Sequence, residues 1–240
     1  PKYYGKYPVG VLSPNIFGTR EMLELAREKK SESLLFISSA ENYGALGKEL
    51  MPIKEDTFGR VDPIHVRSCY AEAKRMGETM CVAWNHEHGV PATIARVFHT
   101  YGPGMALDDG RVFADFVANV VEGQDIEMHS DGSAVRAYCY LSDATTGLLR
   151  ILLSGHPGEA YNMGNDEATC NVLELAETVA GLFPEKNISV KQIEGKPQSG
   201  YLQSHVAITI PDTNRLRALG WKPQVSVPEG FRRTILYYDG

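Results

Sequence analysis

The sequence predicts an α/β protein organised on parallel strands, and three stretches carry that expectation. Leu34–Ile37 is a short, continuous apolar run ending in the hydroxyls Ser38 and Ser39. A run of this kind suits a parallel strand covered on both faces. From Tyr70 to about His88 apolar residues recur at helical spacing. Pro91–Phe98 then supplies a second apolar strand directly after that helix, so strand, helix and strand follow in the order of a crossover unit.

Taken in order, residues 1–30 read as a loop and then a helix. Ser13-Pro14 suits a helix start, since proline fits the first turn, and Met22, Leu23, Leu25 and Ala26 give the buried stripe. Residues 45–69 form a loop rich in Gly, Pro and charge. In the following helix Met76, Met80, Ala83 and Trp84 are expected to face the core, and Gly89 to stop it. Residues 113–123 read as a helix with Phe113, Phe116, Val117, Val120 and Val121 inward. Ile126–His129 and Arg136–Tyr140 read as short strands around the turn dipeptide Asp131-Gly132. Leu141-Ser142-Asp143 is expected to cap a helix over Ala144–Leu153. A short strand before Tyr161, a helix over 171–183, a strand over 188–193, a loop over 196–205 and a last helix Val227–Tyr238 complete the chain.

Composition narrows the function. A 240-residue chain, 43% hydrophobic, can bury a substantial core. Its net charge of −6 argues against a general nucleic-acid binder or a polybasic membrane-surface protein, yet leaves room for an anionic nucleotide held by a local cluster of donors. Cys69, Cys81, Cys139 and Cys170 lack metal spacing and are too sparse for a disulfide framework, so reduced thiols are expected. No apolar run approaches the ~20 residues of a membrane span, and Pro1-Lys2-Tyr3-Tyr4 has no signal-peptide core, so a cytoplasmic location is expected. His86 and His88 read as helix-end residues, and Asp108-Asp109 has no partners for a metal.

The chemistry is suggested by Tyr70 and Lys74. Residues four apart share a helix face, so both can aim at one ligand. An ammonium beside a phenol favours the phenolate, and a phenol of pKa about 10 needs such help to exchange protons near neutrality. Ser39, at a strand end, can share a hydrogen bond with the phenol or with a substrate hydroxyl. Tyr-x-x-x-Lys alone is weak evidence in a chain with 12 tyrosines; the flanking strands strengthen it.

Four more stretches extend the pattern: Asn15-Ile16-Phe17-Gly18-Thr19, Arg96-Val97-Phe98-His99-Thr100-Tyr101-Gly102-Pro103, Asp131-Gly132-Ser133-Ala134-Val135-Arg136 and Leu219-Gly220-Trp221-Lys222-Pro223. With these in the family's order over almost the whole chain, the sequence resembles the extended short-chain dehydrogenase/reductases, the NAD-dependent nucleotide-sugar epimerases, dehydratases and decarboxylases. The resemblance implies the second half of a Rossmann-like parallel sheet and a small C-terminal α+β substrate lobe. Residues 1–105 would be a partial NAD-binding region and 106–240 mainly the nucleotide-sugar lobe, the chain crossing back between them. The family's Gly-x-x-Gly-x-x-Gly loop does not occur upstream of Tyr70, so the sequence resembles an enzyme without the first half of its dinucleotide site.

The same resemblance implies roles. Tyr70 would be the base, Lys74 would hold the nicotinamide ribose of NAD, Ser39 would share the proton, and Phe98 would lie near the nicotinamide. Asn15 would be a buried hydrogen-bonder behind the catalytic strand. His99, where the family has Asn, together with Arg111, Arg136 and Asn162, would contact a nucleotide-diphosphate sugar. The loop 196–205 would fold over its base. Ile208-Thr209-Ile210 stand where an arginine is common, so one ribose or phosphate contact is expected to be absent. After the strand, dehydratases carry a hydroxyl, Asp and Glu, decarboxylases a hydroxyl, Ser and Glu, and galactose epimerases Ser, Ala and Thr. Ser39-Ala40-Glu41 is a mixture: Ala40 cannot be the dehydratase acid, while Glu41 keeps a carboxylate. An epimerase or UDP-glucuronate-decarboxylase-like enzyme ranks first. A fragment or non-catalytic nucleotide-sugar binder is the alternative. A homodimer is the partner expectation, through the two-helix surface common in the family.

Overall fold

The structure, a computed structural model, describes residues 3–193 and 208–240. It is α/β throughout, as the strand and helix patterning predicts. Helix α1 (Pro8–Ser13) runs without a break through a π-turn, Pro14–Gly18, into α2 (Thr19–Lys29). Pro8 rather than Pro14 marks the start. Pro14 lies mid-helix, where its missing N–H is absorbed by the widened turn. Asn15 is half-buried and donates to Val11 O within its own helix, at 2.7 Å. Of the expected stripe, Leu23 and Ala26 are buried, whereas Met22 and Leu25 face outward.

Strand β1 (Leu34–Ser39), helix α3 (Ser68–His88) and β2 (Ala92–Val97) form the crossover, and Gly89 closes α3 at φ 67°. β1 and β2 are parallel, with Ser38 opposite Arg96 and Ser39 opposite Val97. A later strand, β6 (Ala160–Met163), joins β2 in parallel. Helix α3 lies close against the sheet because Gly77 has no side chain: a Cβ there would sit 2.3 Å from the Phe36 ring. The buried face of α3 therefore runs through Ala73, Gly77 and Cys81, and Met76 and Ala83 point to solvent. The helical period is right, but the face is set by this close approach.

The rest of the chain builds the second layer. β3 (His99–Tyr101) pairs with β5 (Val135–Tyr140), which also pairs with β7 (Thr169–Asn171) and β9 (Ile208–Thr209). The strand β4 (Ile126–Met128) pairs with β8 (Val190–Gln192) and not with β5, although Gly132 makes the expected turn at φ 72°. The remaining helices are α4 (Val112–Val121), α6 (Val172–Gly181) and α8 (Val227–Asp239), which pack on one another, and α5 (Leu141–Ser154) and α7 (Asn214–Ala218), which reach back to the β1–β2–β6 sheet. α6 opens with a capping box between Asn171 and Glu174. Asp143 does not cap α5, which begins two residues earlier. Its buried carboxylate accepts from the Gln224 and Val225 N–H groups instead, each at 2.9 Å. The loop 196–205 lies outside the described residues. Among the described residues, no helix is long and apolar enough to cross a membrane.

The largest core is aromatic: Tyr101 stacks on Phe231 at 3.9 Å, and Tyr138 meets Phe231 edge-on at 6.2 Å. Phe231 is fully buried. Phe231→Ala is expected to lower unfolding stability by about 3–5 kcal/mol, read as a fall in the urea midpoint.

Candidate active site

Ser39 is the last residue of β1 and the cap of a 3-10 turn, Ala40–Tyr43; its Oγ accepts from Glu41 N–H at 3.2 Å. Tyr70 lies in the first turn of α3, where the Ser39 hydroxyl is near enough to pull its phenol's proton affinity down. Lys74 follows one turn later, its Nζ 5.6 Å from the Tyr70 ring centre and 2.8 Å from Ile37 O, to which it donates. The strand end and the helix start thus bring Ser39, Tyr70 and Lys74 together.

Glu41 is held beside them. Arg67, three residues ahead of Tyr70, grips its two oxygens at 3.1 and 3.3 Å. Tyr4 covers the group, stacked on Tyr70 at 5.1 Å with the Arg67 guanidinium 5.7 Å from its own ring centre. Tyr4 carries no sequence pattern that could have singled it out. Arg67 had a signal in the resemblance, since family members often carry Arg or Ser just before the tyrosine.

The electrostatics differ from the sequence expectation. Burial pushes the Tyr70 phenol up, the Ser39 hydrogen bond pulls it down, and the Glu41 carboxylate raises it again; the net direction is upward. Lys74 does not lower it. Burial pulls the Lys74 ammonium down, and its donation is directed at a backbone carbonyl. Helical spacing brings the pair near one another, but desolvation outweighs their attraction.

Past the C-terminal end of β2, His99, Arg111 and Arg136 form a second cluster. Burial and then the nearby positive charges of Arg136 and Arg111 pull the His99 imidazole down to about 3. Its Nδ1 is sealed from solvent with no hydrogen-bond partner, as is the Tyr138 hydroxyl nearby, the two rings 6.0 Å apart. Arg111 donates to Asp109 Oδ2 and, at 3.2 Å, to Thr100 O. Arg136 donates to Val135 O at 2.8 Å. Two of the expected residues lie deeper. Phe98 is 4% exposed and packs with Tyr43 and Ile53. Asn162 is fully buried: its Nδ2 donates to Ile53 O and Asp212 O, and its Oδ1 accepts from the Tyr43 hydroxyl at 2.6 Å.

The comparisons with known proteins bear on this geometry. The NAD dependent epimerase/dehydratase family model matches residues 2–164. The chain belongs to that family. It is 37% identical over 231 residues to UDP-glucuronic acid decarboxylase 3 of Arabidopsis thaliana, covering 96% of this chain and 64% of that protein. It is 35% identical over 240 residues to UDP-glucuronic acid decarboxylase 1 of Danio rerio, covering 100% of this chain and 54% of that protein. The chain therefore spans less than two thirds of the length of these curated relatives. Its fold is similar to the UDP-glucose 4-epimerase of Thermotoga maritima, a structure with UDP-glucose, at a TM-score of 0.85 and 24% identity over 98% of this chain and 72% of that one. The family assignment agrees with the sequence resemblance, and the fold is Rossmann-like.

His99 gives a pH prediction. The folded state keeps the ring neutral down to about 3, whereas an unfolded histidine binds its proton near 6.5. The stability this contributes is present above 6.5 and is lost as pH falls through that window. In urea unfolding, His99→Asn is expected to lose less stability than the wild type between those two pH values.

Proposed function

We propose that the chain carries the acid–base site of an NAD-dependent nucleotide-sugar enzyme that oxidises the sugar at carbon 4, with a UDP-linked uronic acid as substrate. The observation that carries this reading is the convergence of Ser39 at the end of β1 with Tyr70 and Lys74 at the start of α3, Lys74 Nζ being 5.6 Å from the Tyr70 ring centre, with the Glu41–Arg67 pair directly beside them. The similarity to UDP-glucuronic acid decarboxylases supports the uronic acid.

In this reading Tyr70 takes the proton of the 4-hydroxyl, and Ser39 shares the hydrogen bond that lowers the phenol's pKa. Glu41 stands one 3-10 turn from Ser39 as a second proton acceptor, and Arg67 supplies a cation for the sugar carboxylate. Arg111, Arg136 and His99 provide donors for the diphosphate. Tyr4 excludes water from the phenol. For NAD the fit concerns the nicotinamide end, where Tyr70 and Lys74 stand side by side and Lys74 can exchange Ile37 O for a ribose hydroxyl. When bound, NAD supplies the hydride acceptor for carbon 4. The loss of CO2 or a second reduction then decides the product, and Ala40 argues against dehydration.

A second reading, a nucleotide-sugar binder without turnover, is favoured by Lys74 being directed to Ile37 O and by the upward shift of Tyr70. Calorimetric titrations with UDP-glucuronate and with NAD, followed by an assay for CO2 release, separate the two. Binding of both ligands with CO2 release supports the enzyme; UDP-glucuronate binding without turnover leaves the binder. If the chain turns over, Tyr70→Phe is expected to reduce kcat by about 10²–10⁴-fold. Because Tyr70 acts as a base with a raised pKa, the rate should climb about tenfold per pH unit on the limb below that pKa. A flat profile through the alkaline range counts against Tyr70.

We also propose a homodimer through α2 and α3, which pack together and leave Met22, Leu25, Met76 and Val82 exposed. Apolar patches of this kind mark association surfaces. Leu25→Glu with Met76→Glu is expected to halve the mass measured by light scattering; a wild type that is already monomeric rejects the dimer.

A further inference from the structure

The reactive groups stand on two separate pieces of chain, joined among these residues by the Lys74 donation to Ile37 O. Ser39 and Glu41 sit on the turn after β1, Tyr70 and Lys74 on α3. Glu78 occupies the next position in the series Tyr70, Lys74, Glu78, each one helical turn further along the same face. It is buried, at 9% exposure. One of its oxygens accepts from the Ser38 hydroxyl and also from the Asn42 amide. Ser38 immediately precedes Ser39, and Asn42 immediately follows Glu41. A single carboxylate thus holds both feet of the turn that presents the hydroxyl and the acid.

Arg96 fixes that carboxylate in place. It lies opposite Ser38 on β2, and its Nε and Nη2 reach both oxygens of Glu78 at 2.8–3.2 Å. Its Nη1 donates to the Tyr43 hydroxyl at 2.9 Å and to Glu55 O at 2.7 Å. Tyr43 in turn donates to Asn162. Each guanidinium nitrogen and both carboxylate oxygens therefore have a partner, the condition under which a buried ion pair orders its surroundings, while Asn42 Oδ1 beside them is buried without one.

We infer that Glu78 is a positioning residue: through Ser38 and Asn42 it sets the register of the Ser39–Glu41 turn against α3, so that Ser39 meets the Tyr70 phenol. The inference rests on the catalytic reading of Ser39 and Tyr70. Glu78 touches no reacting group. Its effect passes through the approach of the Ser39 hydroxyl to the Tyr70 phenol, a local property that overall stability does not govern in a folded protein.

The test uses the full chain with tyrosine labelled by ¹³C at the ring carbon bearing the hydroxyl, the Tyr70 signal being assigned with Tyr70→Phe. At neutral pH this signal reports the phenol's hydrogen bonding and needs neither NAD nor turnover. Ser39→Ala gives the reference displacement. Ser38→Ala, Asn42→Ala and Glu78→Gln are expected to move the Tyr70 signal toward the Ser39→Ala position while the other tyrosine signals, Tyr43 excepted, stay in place. Should Glu78→Gln leave the burial of Arg96 uncompensated and fail to fold, Ser38→Ala and Asn42→Ala decide, since they keep the ion pair. A Tyr70 signal at its wild-type position in those folded variants, with Ser39→Ala displaced, overturns the positioning role and leaves the catalytic reading standing. A signal unmoved even by Ser39→Ala removes the Ser39–Tyr70 contact and overturns both.

Discussion

The ion pair between Arg96 and Glu78 is the constraint on which the rest of the site depends. Taking two charges out of water is unfavourable unless every remaining donor and acceptor is satisfied. Here β1 supplies Ser38, the turn supplies Asn42 and Tyr43, and Glu55 O takes one guanidinium proton. The two elements of the sheet and the helix above it are therefore joined by polar contacts as well as by the packing of Phe36 over Gly77. The proposed reactive groups, Ser39, Tyr70 and Lys74, stand at the edge of this network, where the strand ends and the helix begins. Open α/β sheets bind their ligands in that place.

Desolvation governs the chemistry available there. Tyr4 and the surrounding helix start bury the phenol, which raises it, and the Ser39 hydroxyl works in the opposite direction. Lys74 spends its charge on a main-chain oxygen. A ligand that drew the ammonium away from Ile37 toward the phenol would reverse this balance, so the free and occupied sites differ in proton affinity. Arg67 stands in a comparable relation to Glu41: its guanidinium serves the protein's own carboxylate, and in the proposed reading a substrate carboxylate would compete for the same fork.

Much of the fold was legible in the sequence, because strand and helix periods are local properties. Leu34–Ser39, the α3 helix with its Gly89 stop and the order of strands follow from them. The convergence of Ser39, Tyr70 and Lys74 followed from one helical turn and one strand end. What was not legible depends on distant partners. The outward face of Met76 is decided by Phe36 against Gly77, some forty positions earlier in the chain. Asp143 looked like a cap because it stands near a helix start, yet its partners are at 224 and 225. Asn162 resembled a ligand contact, while the structure commits its amide to Ile53, Asp212 and Tyr43. The direction of the Tyr70 shift was missed for a similar reason: spacing shows which charges are near, and burial decides what they are worth.

The contacts of Asp143 have a consequence for how the molecule comes apart. Its carboxylate accepts from Gln224 and Val225, and its own carbonyl accepts from the Trp221 indole. Helix α5 packs on β1, β2 and β6, while α8, just beyond Val225, carries Phe231 into the aromatic core. Peeling the C-terminal segment away would break these three hydrogen bonds together, so opening at that seam is opposed by their joint loss.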